Sequence, residues 1–148
     1  MNGRTALHFA AENGSSTIAK QISSRYPSTV NVRDLLGRNA LHYGVLSSDE
    51  KTVQVLCDET GEQLEVNAKD KSGMTALMLV ARSVGKFEGN INQKSTHTAP
   101  KNLFTNIQTQ LPISSKKELA LIGSLLKVNS IDLLLTDNAG DNALIIVR

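Results

Sequence analysis

Tryptophan is absent, and two tyrosines and three phenylalanines make up an aromatic fraction of 3% in 148 residues. A core built around large rings is excluded, so small aliphatic side chains must do the packing. The single cysteine, Cys57, has no partner for an intramolecular disulfide, which removes a secreted disulfide framework. A reducing, intracellular setting is expected, cytoplasmic rather than nuclear. The N-terminus MNGRTALHFA lacks the apolar stretch of a signal peptide, and the longest apolar run, residues 76–81, is too short to cross a bilayer. The net charge of +2 is spread along the chain with no basic run longer than Lys116-Lys117, and the basic residues lack interleaved aromatics. Neither a nucleic acid nor a membrane is indicated as a partner. Asn13-Gly14-Ser15 matches a glycosylation acceptor, a three-residue pattern that is frequent by chance.

What is present is a period. Residues 34–41 read DLLGRNAL, and the frame D-x-x-G-x-[T/N]-A-L returns at 70–77 and 137–144, with its second half at 3–7. Gly3, Gly37, Gly73 and Gly140 are 34, 36 and 67 residues apart, the last interval about twice the others. Self-similarity at this spacing indicates a solenoid.

In the first unit Thr5 is placed to cap a helix carrying Ala6, Leu7, Ala10 and Ala11 on one face. Gly14 stops it. Ile18, Ala19 and Ile22 fit the apolar face of a second helix, and Pro27 ends that helix ahead of an extended segment over 29–33. The second unit repeats the plan, with Asn39 as cap and Val53, Val55, Leu56 and Cys57 on its second helix. Leu7 to Ile22 and Leu41 to Leu56 both span 15 residues, which fixes the register of the two helix pairs. Two extra residues of the second unit fall around 58–63. Helices this short are marginal alone and need stacking neighbours.

NGRTALHFAAENG at 2–14, DLLGRNALHYGV at 34–45, EVNAKDKSGMTALMLVA at 65–81 and DNAGDNAL at 137–144 together resemble the ankyrin repeat family. The resemblance implies an all-α repeat solenoid with short β-hairpins at the Asp-x-x-Gly junctions and paired antiparallel helices behind them. Repeats are expected at about 2–33, 34–69, 70–136 and 137–148, the last incomplete, as in a segment of a longer array. In the third unit the second helix fits only at 116–127, so that Leu77 to Leu121 spans 44 residues against 11 from Leu7 to Ile18, 33 more than the first unit has. Two readings are open: a polar insertion over about 86–115, or a fourth, eroded repeat. The insertion is the expected one, and closing the longer loop costs only about 2 kcal/mol.

His8, His42 and Cys57 are the side chains with chemical potential. Both histidines follow the Leu of the frame, where the family uses the imidazole to bond neighbouring caps and tips. Met78 and Ile145 replace them in the later units, so no row of metal ligands runs along the stack. Cys57 is expected to be buried and inert. The glycines read as positive-φ turn residues, and Asp34, Asp70 and Asp137 as turn formers that bond their own backbone. Alanine at 6, 40, 76 and 143, where the family usually has proline, gives up a preset first turn. Asn67 stands at a hairpin position that asparaginyl hydroxylases modify in some ankyrin proteins, but a structural turn asparagine is the expectation. No catalytic site, cofactor, metal or small-molecule ligand is indicated, and an enzyme is not expected.

By resemblance, partners bind along a concave face of hairpin tips and first helices. The variable positions there give Arg4, Arg33, Leu35, Leu36, Arg38, Leu46, Lys69, Lys71, Met74, Arg82 and Asp141 as candidate partner-binding residues. Leu35, Leu36, Leu46 and Met74 are expected to face solvent within a basic rim, so the partner should be a protein segment with apolar anchors and acidic flanks. The expected function is a protein–protein interaction module. The alternative is a regulatory segment of a larger enzyme, channel or ubiquitin-pathway adaptor.

Overall fold

A computed structural model describes residues 2–85 and 116–143. Within them six helices form, α1 (Ala6–Glu12), α2 (Ser16–Arg25), α3 (Ala40–Leu46), α4 (Glu50–Thr60), α5 (Ala76–Gly85) and α6 (Lys116–Leu126). Each odd-numbered helix packs on the even-numbered one that follows it. α1, α3 and α5 make one row, and α2, α4 and α6 a second row behind it. The result is an all-helical repeat array two layers deep.

Local chemistry starts these helices where the sequence indicates. Thr5 and Asn39 are extended N-cap residues, each in a reciprocal capping box with the histidine three positions on. In the third unit the Thr75 hydroxyl accepts the Met78 N–H at 3.3 Å. Between α1 and α2 the chain turns at Gly14, φ +63°, where an added Cβ would lie 3.1 Å from the Asp49 side chain. The turn thus needs glycine for its backbone and for its neighbour.

Leu7, Leu41 and Leu77 are buried in the first-helix row, and Leu56, Leu121 and Leu125 in the second. Alanines at 10, 11, 19, 40, 76 and 81 are buried among them. They let the helices approach closely, which is how a core nearly free of aromatics is closed. The two extra residues of the second unit are absorbed at the end of α4 and in the 3-10 turn Gly61–Gln63.

Three expectations are corrected. Ala6, read on the apolar face of α1, is exposed, because in the first turn that face runs through Leu7. Ile18 is 52% exposed, although its equivalents Thr52 and Leu121 are buried. Thr52 is on α4, which packs against α2, and Leu121 is on α6, which packs against α4; no described helix lies in front of α2. The segment after Pro27 opens with a 3-10 turn, Pro27–Thr29, and Val30 is buried beyond it. No β-strand occurs among the described residues, only an isolated bridge between Thr136 and Asn142. The stretch 86–115, read as an insertion or an eroded repeat, lies outside the described residues, as does 144–148.

Candidate functional site

Each tip is built by one aspartate. Asp34 Oδ1 accepts the N–H groups of Leu36 and Arg38, both at 2.9 Å. Asp70 does the same for Ser72 and Met74 at 2.8 and 3.0 Å, and Asp137 for Ala139 and Asp141 at the same two distances. The aspartate N–H donates to the carbonyl four residues on, closing the turn at Arg38, Met74 and Asp141. Gly37, Gly73 and Gly140 have φ of +76°, +77° and +88°. Burial works against the charge on Asp34, but hydrogen bonds from the Tyr43 hydroxyl and from the Arg38 and Leu36 N–H groups outweigh it. Its carboxyl therefore titrates below the ordinary aspartate value.

Successive tips are joined by one backbone bond each: Leu35 N–H to Asn2 C=O at 3.0 Å, Lys71 to Leu36 at 2.9 Å and Asn138 to Ser72 at 3.2 Å. Behind the tips, His8 Nε2 donates to Arg38 C=O at 2.9 Å and His42 Nε2 to Met74 C=O at 3.1 Å. In both, Nδ1 accepts the N–H of the cap residue, Thr5 or Asn39. Burial is the main reason that His42 titrates below its ordinary 6.5, and the Met74 carbonyl opposes it only in part. These imidazoles are cross-repeat struts. Among the described residues no three His, Cys, Asp or Glu side chains gather as a metal site. Cys57 is half-buried, and burial, helped by Asp58, pushes its thiol up to about 11. At neutral pH it holds little thiolate for nucleophilic chemistry.

The expected partner-binding residues separate into three groups. Leu35, Leu36 and Leu46 are 60%, 51% and 49% exposed, and Lys71 and Arg82 are exposed as well. The other four cations are engaged within the array. Arg33 bridges to Lys69 C=O at 3.1 Å and to Glu65 at 2.7 Å, and Lys69 Nζ donates to Thr136 C=O at 2.6 Å. Arg38 Nε donates to Asp70 Oδ2 at 3.2 Å. Arg4 pairs with Glu12, its guanidinium carbon 4.4 Å from the Phe9 ring centre and 4.2 Å from that of Tyr43.

Met74 is a correction to the expected solvent-facing set: it is 2% exposed and belongs to the core cluster. It occupies the position after the tip glycine, shared with Arg4, Arg38 and Asp141. Arg4 and Arg38 reach from that position onto the next repeat, so an apolar side chain placed there is covered. Asp141 is half-buried. Asn67 is a turn residue as expected, within the turn closed by Ala68 N–H to Glu65 C=O at 3.1 Å, and its side chain is a long-range bridge as well. Its Nδ2 donates to Ser130 C=O at 2.7 Å and its Oδ1 accepts Asp132 N–H at 2.9 Å. Asn31 bridges Gln63 C=O and Glu65 N–H in the same way. Phe9, 45% exposed on α1, was not singled out from sequence. Its position two residues after the frame leucine, shared with Tyr43 and Leu79, was the available signal.

Comparison with known proteins agrees with the array. Residues 1–70 match the family of ankyrin repeats (3 copies). A 51-residue stretch is 41% identical to Protein glp-1 of Caenorhabditis elegans, covering 34% of this chain and 4% of that protein. The chain thus matches only a small part of that relative's length.

Proposed function

Since this chain carries ankyrin repeats, we propose that it is a protein–protein interaction module that binds a partner segment through its tips and first helices. Ankyrin repeats generally mediate contacts of this kind and are not catalytic. The observation that carries the reading is the exposure of Leu35, Leu36 and Leu46 in the second repeat, whose other leucines, Leu41, Leu56 and Leu64, are buried. Apolar side chains left outside at tip and first-helix positions suit an interface centre, with Lys71 and Arg82 at its edge. The partner is a protein segment with apolar anchors and acidic residues. The double variant Leu35→Asp, Leu36→Asp, with circular dichroism unchanged, should lose the partners that the parent protein retains in a pull-down. Full retention would overturn the site.

The same reading divides the chain into repeats at 2–33, 34–69, 70–136 and 137–148, with 86–115 as an insertion in the turn of the third and the tips as short β-hairpins. Three facts support it: α5 and α6 pack together like the other pairs, Leu125 is buried at the position of Leu56, and each tip carries the Asp N–H bond to the fourth carbonyl on. Among the described residues no helix is long and apolar enough to cross a membrane. A second reading, a regulatory segment of a larger protein, is favoured by the match to glp-1 being 4% of that protein. The complete reading frame around this sequence decides it: a catalytic or transmembrane domain on either side favours this second reading.

A further inference from the structure

Two rows of equivalent positions run across the array. Five residues after the frame leucine stand Glu12 on α1, Leu46 on α3 and Arg82 on α5. At the tips, Leu35 and Leu36 of the second repeat are followed by Lys71 and Ser72 of the third. One arginine shows that the base of a tip and the end of a first helix share a face. Arg4 follows the tip glycine Gly3, pairs with Glu12 at the last turn of α1, and covers Phe9 and Tyr43 on the way.

Charge along these rows is unequal. In the first repeat Arg4 and Glu12 neutralise each other beside the exposed Phe9 ring. In the second, Arg38 is matched by Asp70, Glu65 by Arg33 of the first repeat, and the exposed residues of the two rows are leucines. In the third, Lys71 and Arg82 are exposed and no ion pair joins either to an acid among the described residues, while Lys69, at the end of the second, rests on a neutral carbonyl. Asp70, the acid of that tip, is already matched to Arg38, and Asp137 of the next tip holds its own backbone N–H groups.

We infer that the site is polar along the stack and takes a partner segment with acid on one side only. Apolar side chains sit over Phe9, Leu35, Leu36 and Leu46, and a carboxylate reaches Lys71 and Arg82. This rests on the interaction-module reading and replaces acidic flanks on both sides by one. Packed helices lie about 8–10 Å apart, and an extended chain advances about 3.3 Å per residue. The acid should therefore fall about three residues from the apolar anchor. Exposed cations act through a screened field, so this part of the affinity weakens with salt.

The test is a display selection of random 12-residue peptides on the full chain, followed by fluorescence anisotropy of the enriched peptides. Enriched peptides should carry an apolar pair with acid about three residues to one side. The exposed-site variant Lys71→Glu, Arg82→Glu should weaken them at least tenfold and remove their salt dependence. Lys20→Gln, at a cation on α2 paired with Glu59 and outside the tips and first helices, should change affinity less than twofold. Peptides with acid on both sides, or binding lost with Lys20→Gln and kept in Lys71→Glu, Arg82→Glu, would overturn the one-sided site while leaving the apolar site standing. If no peptide is enriched, or Leu35→Asp, Leu36→Asp binds unchanged, both readings fail.

Discussion

The first two junctions of the stack and the third share the same tip-to-tip backbone bond but differ behind it. Between repeats one and two, and again between two and three, a histidine, an asparagine and a basic residue reach across: His8, Asn31 and Arg33, then His42, Asn67 and Lys69. In the third repeat the equivalent positions hold Met78, Leu134 and Thr136. Met78 and Leu134 carry no donor, Thr136 has a short hydroxyl in place of a long basic side chain, and Leu134 is exposed. At that junction the Asn138 side chain donates to Lys71 C=O at 3.0 Å instead. Close approach also remains, since a Cβ on Gly73 would lie 2.6 Å from the Asn138 nitrogen. Among the described residues cohesion therefore comes from two separable sources, apolar packing between the helices and long-range polar struts, three side chains at each of the first two junctions and Asn138 at the third.

Removing a strut should have the largest effect. His42→Ala leaves the Met74 carbonyl and the Asn39 N–H short of a partner in a buried site, and should cost about 3 kcal/mol in chemical denaturation. An unchanged midpoint would mean that packing alone holds the second junction. Acid tests the same strut without mutation. Because burial holds His42 below its ordinary 6.5, the unfolded chain binds the proton more readily. The stability from this site is complete above about pH 6.5 and is lost as the pH falls toward the folded value, at up to about 1.4 kcal/mol per pH unit. His42→Gln should flatten that limb of the denaturation profile.

Asn67→Ala and Asn31→Ala each remove two bonds at partly solvated sites, for about 1 kcal/mol apiece. Amide exchange should quicken at Asp132 in the first variant and at Glu65 in the second, and exchange confined to neither would argue against the bridges. The smallest effect runs in the opposite direction. Met78→His would place an imidazole opposite the Asp141 carbonyl and should stabilise the third junction by about 1 kcal/mol, read as slower exchange at Asn138. A loss of stability there would mean that the third junction is fitted to methionine.

Much of this was legible because the informative spacings are short. Asp34, Gly37 and Asn39 mark a tip and a cap within six residues, and the leucine at 41 fixes the first helix. Exposure of Leu35, Leu36 and Leu46 followed from the same frame. The directions of Arg4 and Met74 did not, because the side chain after the tip glycine points along the stack, and what it meets is supplied by the next repeat. The asparagine bridges were missed for the same reason, Asn67 finding its partner 63 residues away. Ile18 was read as core because it falls at helical spacing with Ala19 and Ile22, and a single-repeat pattern carries no information about what lies in front.

The struts at the first two junctions have one property in common. His8, His42, Asn31, Asn67, Arg33 and Lys69 all end on a main-chain carbonyl of the following repeat. A carbonyl is present whatever the residue that bears it, so the receiving unit keeps the connection through any substitution that preserves its backbone. Units of this kind are interchangeable parts. One can be exchanged, duplicated or recombined without matching changes in its neighbour, provided that it brings its own donors to hand forward.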